Sequence, residues 1–423
     1  AAPGSATPSP GPVVPPTPRS GFVQIAVGLD VTCALSDDHA VRCWGSNADG
    51  RAGLGGTLVT GAPMRVEGLP DVTAIAVGDT HACALDVERH VHCWGDNRYG
   101  MLGDGTTTSR PTPSRIEGLD DVVELDAARS HTCARHTNGT VHCWGRAMHV
   151  GAATRGHQLT PIAVPGVTDA IEVVLGPENG CVLREDHTAM CWGFGGGGVF
   201  SSRPGPFARA TPTFLDRRHR PIALRSLALG DRHVCLHFDD DHLECAGENE
   251  NGQLTNQFIP DEAQCDRSRG EARETVTCTW SDPRPTEPDH GRGLPRRPEV
   301  YPPPPITPMP VHTETFDART GFVVGYLHAR VVVADGQYAQ GRTCVIDPEE
   351  RVACFGRPGP WDWGHRRPTP MPLTQGAVQL DVAPHHGCTV LRDGRAVCWG
   401  GNGAGQLGDG TTEPRHDGVY VSQ

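Results

Sequence analysis

At 423 residues the chain is long enough for two or three ordinary domains, or for one large repetitive β architecture with a continuous core. Acidic residues outnumber basic ones by 50 to 37, giving a net charge of −13, and every basic residue is arginine. That balance excludes a general nucleic-acid binder, which needs a surplus of basic groups on phosphates, and the absence of lysine excludes a Schiff-base or phosphate-loop lysine. Sixteen cysteines are too many for an ordinary cytosolic enzyme and suit an oxidising compartment or a set of metal sites. No run of about 18 apolar residues is present to span a membrane.

In chain order, residues 1–20 come first, with seven prolines and neither a basic start nor an apolar stretch. They read as a Pro-rich disordered linker, of the kind that lies between a cleavage or lipid-attachment point and the first folded residue, near Gly21.

From there one spacing recurs. Cys33 with Cys43, Cys83 with Cys93, Cys133 with Cys143, Cys181 with Cys191, Cys235 with Cys245, Cys344 with Cys354 and Cys388 with Cys398 each enclose nine residues. Their starts lie 50, 50, 48, 54, 109 and 44 apart. The long interval holds Cys265 and Cys278, 13 apart and without the WG that follows the other pairs. The expectation is therefore seven units with one insertion, residues 255–310, between the fifth and sixth.

Each unit opens on alternating apolar and polar residues, as in DVTAIAVGDTHACAL (71–85), turns, and runs into VHCWG, the pattern of short antiparallel strands. A loop rich in Gly, Asn and Asp follows, DNRYGMLGDGTT or GNGAGQLGDGTT, and FGGGG at 194–198 is also a loop. Then comes a proline-marked segment such as RPTPSRIEGL (110–119), suited to an outer strand because Pro lacks the ladder donor. Four strands per unit, repeated radially, is the signature of a β-propeller.

The order of HTCAL, VxCWG, GxNxxGQLGDGT and a Pro-containing strand resembles the repeat of the regulator of chromosome condensation family. The resemblance covers 21–423 apart from the insertion, and implies an all-β, seven-bladed propeller of four-stranded antiparallel blades with one disulfide-tied loop insertion. The fifth unit departs with CAG for CWG, and the sixth, CVIDPEERVACFG (344–356), lacks the GxNxxG loop. The family's secreted bacterial members include proteinaceous inhibitors of β-lactamases, from which only a mode of action through faces and loops carries over. The wealth of Ala, Gly, Pro and Arg without Lys points to a GC-rich bacterial source.

With Cys133 opposite Cys143, residue 136 faces 140 and a three-residue loop remains, the length closed by a type I turn with a left-handed third residue, here Gly139 and in the last unit Gly394. Directly opposed cysteines lie within disulfide reach, so each pair reads as a staple across two strands. Zinc needs about four ligands, and a unit offers two thiols and in some cases a histidine two before the first Cys, namely His81, His131, His233 and His386. His92 and His142 precede the second Cys and face the other way. Reduced packed thiols remain the alternative. A staple of this loop size is worth ~2–3 kcal/mol. Cys265 and Cys278 are expected to tie down the insertion.

The tryptophans of the CWG phrase, 44, 94, 144, 192 and 399, are expected to pack blade on blade, and the HxC histidines to satisfy buried backbone groups. Asp104 and Asp409 of LGDGTT read as turn stabilisers, since calcium wants six or more oxygens. Candidate partner contacts are Trp280 and Tyr301, aromatic in an insertion with little core, and Trp361 and Trp363 of PWDWG. No catalytic constellation, cofactor site or metal site stands out. The composite expectation is a non-enzymatic secreted, periplasmic or cell-surface module that binds a protein, through a face or its insertion. The alternatives are a structural or adhesive subunit of a homo-oligomeric assembly and, further off, a propeller enzyme such as a lyase; nucleotide exchange is opposed by charge and cysteines.

Overall fold

The computed structural model describes residues 20–56, 59–152, 156–194, 206–213, 223–230, 233–238, 243–247, 264–269, 274–281, 311–317, 323–325, 331–335, 342–356 and 369–422. Their strands form seven four-stranded antiparallel sheets and one of three strands. The first blade comprises Phe22–Val27, Val31–Ser36, Val41–Gly45 and Thr60–Arg65, paired in sequence order. The first strands of the others are Val72–Val77, Val122–Ala127, Ala170–Leu175, Ser226–Leu229, Val331–Asp335 and Ala377–Val382. Each first strand packs on the next blade, and that of the first blade packs on the last, so the ring is closed.

The fifth blade is completed late. Its third strand, Leu243–Gly247, pairs with Val323–Gly325, and the three-stranded sheet of Gln264–Arg269, Glu274–Ser281 and Val311–Asp317 intervenes. The excursion thus sits between the third and fourth strands of one blade, and it contains ladders where polar composition suggested loop alone. Register sets Cys265 opposite Cys278 there, while their side chains lie outside the described residues.

The repeated cysteines stand opposite one another on the second and third strands of every blade. All seven pairs are bridged, with Cα separations of 4.0–4.1 Å. The short separation is that of a non-hydrogen-bonded antiparallel pair, whose side chains approach most closely. Cys33, Cys83, Cys133 and Cys388 are fully buried.

The outer strands carry proline, as at Pro63, Pro111, Pro113 and Pro161, with largely exposed or half-buried side chains. Proline on an outer strand withholds the donors a neighbouring edge would use.

Between blades, the tryptophans do the joining. Trp94 Nε1 donates to the Arg51 carbonyl at 3.1 Å, Trp144 to Met101 at 2.7 Å, Trp192 to His149 at 2.8 Å, and Trp44 to Gln406 at 2.9 Å across the closure. Gly95, after Trp94, has φ of +102°, and a Cβ there would meet the Thr80 carbonyl and His81 Cα at 2.7 Å. Only glycine fits that approach.

Candidate functional site

Two regions of the ring could engage other molecules: the central channel, lined by the first strands, and a groove on the face where the first and second strands turn.

In the channel each first strand is a sheet edge whose backbone groups need partners. Side chains of the neighbouring blade supply them. Gln24 donates to the Ile75 carbonyl at 2.8 Å and accepts from its N–H at 2.9 Å, and Gln379 clasps Ile25 in the same two ways at 2.9 and 3.0 Å. Two residues further along, Asp126 accepts from the Leu175 N–H at 2.7 Å and Asp381 from the Val27 N–H at 2.9 Å. Glu124, ion-paired with Arg135 at 2.5 Å, reaches the Val173 N–H at 3.4 Å. Glu172 has no hydrogen bond or ion pair among the described residues. The space enclosed is about 460 Å³.

Burial pushes these carboxyls up, Asp126 to about 8 and Asp381 to about 7; Glu172 rises to about 7 through burial and the nearby Glu124. Close carboxyls in a protein-walled space favour the protonated form.

The HxC histidines serve blade assembly in a way the sequence did not suggest. The expected partners were backbone groups; the observed ones are threonine hydroxyls of the next blade. His81 Nε2 lies 2.8 Å from Thr132 Oγ1, His233 Nε2 2.9 Å from Thr343 Oγ1, and His386 Nε2 2.7 Å from Thr32 Oγ1. Since Thr132 and Thr32 donate to the carbonyls of Met101 and Gln406, their oxygens accept and the histidines donate from Nε2. A hydroxyl on the residue next to a buried cysteine is shielded from water, so the pairing satisfies both groups at once. His131 has Gly180 at the corresponding place of the next blade and instead packs edge-on against His149, ring centroids 5.3 Å apart. Burial holds His81 and His149 near 4 and His131 well below the usual imidazole range, so all three are neutral at ordinary pH.

Asp104 and Asp409 are committed to their own loops. Asp104 accepts from Thr106 N–H and Oγ1, Asn97 Nδ2 and Arg110 Nε, and Asp409 repeats the set with Thr411, Asn402 and Arg415. Burial works against the charged form of both, yet these donors hold both below the ordinary carboxylate value.

On the turn face, a groove of about 370 Å³ runs over the second and third blades toward the closure. Its floor is Leu29, Met101 and Pro384; its polar wall includes Arg98, Tyr99, Arg129 and Arg146. Asp96, almost fully buried, anchors Arg98 at 2.6 Å and accepts from Thr80 Oγ1 at 3.2 Å. Arg146 stacks over the Tyr99 ring at 5.7 Å, and His157 meets the same ring edge-on at 5.0 Å. Glu178 lies 3.7 Å from Arg129 and 3.9 Å from Arg146. The result is a half-exposed aromatic held between an arginine and a histidine, above an apolar floor. Such a group can accept a planar or apolar side chain and hydrogen-bond around it.

Sequence reasoning passed over Tyr99 and Arg98 because they sit in DNRYGMLGDGTT, where glycines and asparagine announce a loop. The available signal was a tyrosine, one of five in the chain, inside that loop. Of the aromatic residues singled out from sequence, Trp280 is on the middle strand of the inserted sheet, with its side chain outside the described residues, and Tyr301, Trp361 and Trp363 lie outside them altogether. Among the described residues no helix is long and apolar enough to cross a membrane, and no three metal-ligating side chains converge.

Seven antiparallel blades around a lined channel define a β-propeller, a fold that interacts through its faces and loops. Models of the regulator of chromosome condensation (RCC1) repeat match its first blades, over residues 38–85 and 90–135, and 22–51 and 72–100. No curated protein matches the chain. Among solved structures, yeast RCC1 (Prp20) bound to Kap60 is similar at TM-score 0.64 and 18% identity, over 100% of this chain and 90% of that one. Prp20p of Saccharomyces cerevisiae is similar at 0.63 and 19%, over 96% and 88%. Human WBSCR16 is similar at 0.65 and 16%, over 91% and 94%. Identities this low carry the fold alone.

Proposed function

We propose that this chain is a protein-binding propeller of an oxidising, extracytoplasmic compartment, and that it holds its partner in the turn-face groove around Tyr99. The observation that carries the reading is the Arg146, Tyr99 and His157 stack beside the anchored Arg98, since tyrosine and arginine supply most of the binding energy of interfaces of ordinary size. The seven buried bridges support the compartment, because such bonds persist where thiols are not kept reduced. Prolines on the outer edges oppose edge-to-edge assembly and favour a monomeric binder over an assembly subunit.

The test uses protein secreted from its native host with a photocrosslinking residue at position 99, compared with the same residue at position 186 on the far face. A discrete adduct from position 99, lost on Arg146→Glu, is the expected result. Equal labelling from both positions, or free thiols on native intact-mass alkylation, would sink the groove and the compartment respectively.

A further inference from the structure

The first strand of five blades opens on the same irregularity. Its register against the second strand slips between Phe22 and Gln24, Val72 and Ala74, Val122 and Glu124, Ala170 and Glu172, and Ala377 and Gln379. A bulge leaves one residue unpaired and re-aims its side chain. The residues left over are Val23, Val123, Ile171 and Val378, with Thr73 in the remaining blade. Val23 is 52% exposed, Ile171 41% and Val378 43%. The core does not need them, because the residue before each is already buried: Phe22 is 5% exposed, Ala170 3% and Ala377 2%.

Val23, Val123, Ile171 and Val378 each directly precede a channel-lining residue, Gln24, Glu124, Glu172 and Gln379 respectively. The bulges therefore ring the channel mouth on the hairpin face, opposite the turn-face groove. Beyond the ring stand the carboxyls of Glu124, Asp126, Glu172 and Asp381, and among these four Glu124 is ion-paired, with Arg135. The hairpin loops around the mouth carry exposed acids at Asp37, Asp38, Glu88, Glu185, Asp186 and Glu349 against exposed Arg89 and Arg392; Asp38, Asp186 and Glu349 already pair with Arg42, Arg184 and Arg351 on the flanking strands.

We infer that this mouth is a second docking surface, built for a protein loop that presents an arginine or lysine between apolar side chains. The cation enters the channel toward Glu172 and Glu124 and relieves their mutual repulsion, while its apolar flanks cover the valine and isoleucine ring. The acidic hairpins draw a basic surface in and orient it. A space of about 460 Å³ is within the range of side-chain and ligand pockets. The inference stands on different residues from the groove around Tyr99 and survives or fails separately.

The probe is a cyclic peptide of alternating leucine and arginine, titrated by fluorescence anisotropy against the full chain at physiological salt. One-to-one binding is expected, weakened at least ~10-fold by Glu172→Gln, by the combined Val23→Ser, Ile171→Ser and Val378→Ser, and by replacing arginine with neutral citrulline. Tyr99→Ala should leave it unchanged. The exposed positions of the triple variant keep the fold intact, which its melting curve checks. Absence of binding, binding indifferent to the ring, or equal binding of a serine and arginine peptide would overturn the inference, the last by showing charge attraction alone.

Discussion

Arg89 holds the third place of its hairpin loop with φ of +67°, and His39, His187 and Glu350 hold the same place at +60° to +63°, where Gly139 and Gly394 have +77° and +82°. An L-residue there costs about 1–2 kcal/mol, partly offset by glycine's greater loss of freedom on folding. Arg89→Gly is therefore expected to stabilise the chain by about 0.5 kcal/mol in urea unfolding. His39→Gly should gain less, since His39 Nδ1 also meets the Val72 carbonyl at 3.0 Å. Asn97 makes the opposite case. Fully buried, it donates to Asp104 Oδ1 and the Thr106 and Thr108 carbonyls and accepts from the Leu102 N–H. Asn97→Ala strands those groups and is expected to cost about 2–3 kcal/mol, read as a lowered urea midpoint at unchanged slope. The asparagine was visible in the repeated phrase, but its reach over eleven residues was not, because loop geometry decides which carbonyls come within range.

At the scale of the element, the stapled hairpin was almost wholly legible. Nine residues between cysteines, with glycine four before the second, allow one register, and His136 N–H donates to the Thr140 carbonyl at 2.9 Å as that register requires. Replacing Cys83 and Cys93 together by alanine removes the cross-link from the unfolded chain and is expected to cost about 2 kcal/mol while leaving the Ala82 to Trp94 pairing in place. Loss of strand amide protection there, beyond the global loss, would show that the bond holds the register as well. The first strand was legible only in part. Its alternation was plain, but the bulge that turns Val23 and Ile171 outward depends on how the strand curves against its partner. Nothing in VQIAV or IEVVL announces that curve.

At the scale of the whole molecule, the ring closes without sharing a strand between its two ends. Each blade at the seam is self-contained, and Gln379, Asp381 and His386 bridge to Ile25, Val27 and Thr32 through the contacts found at other seams. With the bridged sulfurs buried inside blades, reduction should follow global unfolding: dithiothreitol alone is expected to leave the mass unchanged, with alkylation appearing only across the denaturation midpoint.

The channel adds a pH dependence. Asp126 near 8 and Asp381 and Glu172 near 7 keep protons that the unfolded chain releases around 4, so their stabilisation is complete below that value and is lost as pH rises through 7 and 8. His81 and His149, held near 4 against an ordinary 6.5, act in the other direction between those two values. Above pH 6.5 only the carboxyls count, and the melting temperature is expected to fall between pH 6.5 and 8.5. Asp126→Asn with Asp381→Asn should flatten that slope; a slope that persists would place the titration elsewhere.

The sequence by itself determined what depends on local spacing: seven units, strand alternation, hairpin register, the cysteine pairs and the outer position of the proline strands. These follow from covalent geometry and from the two-residue period of a strand, which hold whatever lies next to the blade. The tertiary structure decided what depends on neighbours. Histidine meets the threonine of the following blade, 51 residues on for His81 and 110 for His233, glutamine covers a foreign strand edge, and Tyr99 stands between Arg146 and His157. It also decided which residues the bulge turns toward water. Closing a ring brings surfaces together that no short stretch of chain contains, and both of the surfaces proposed for binding arise there.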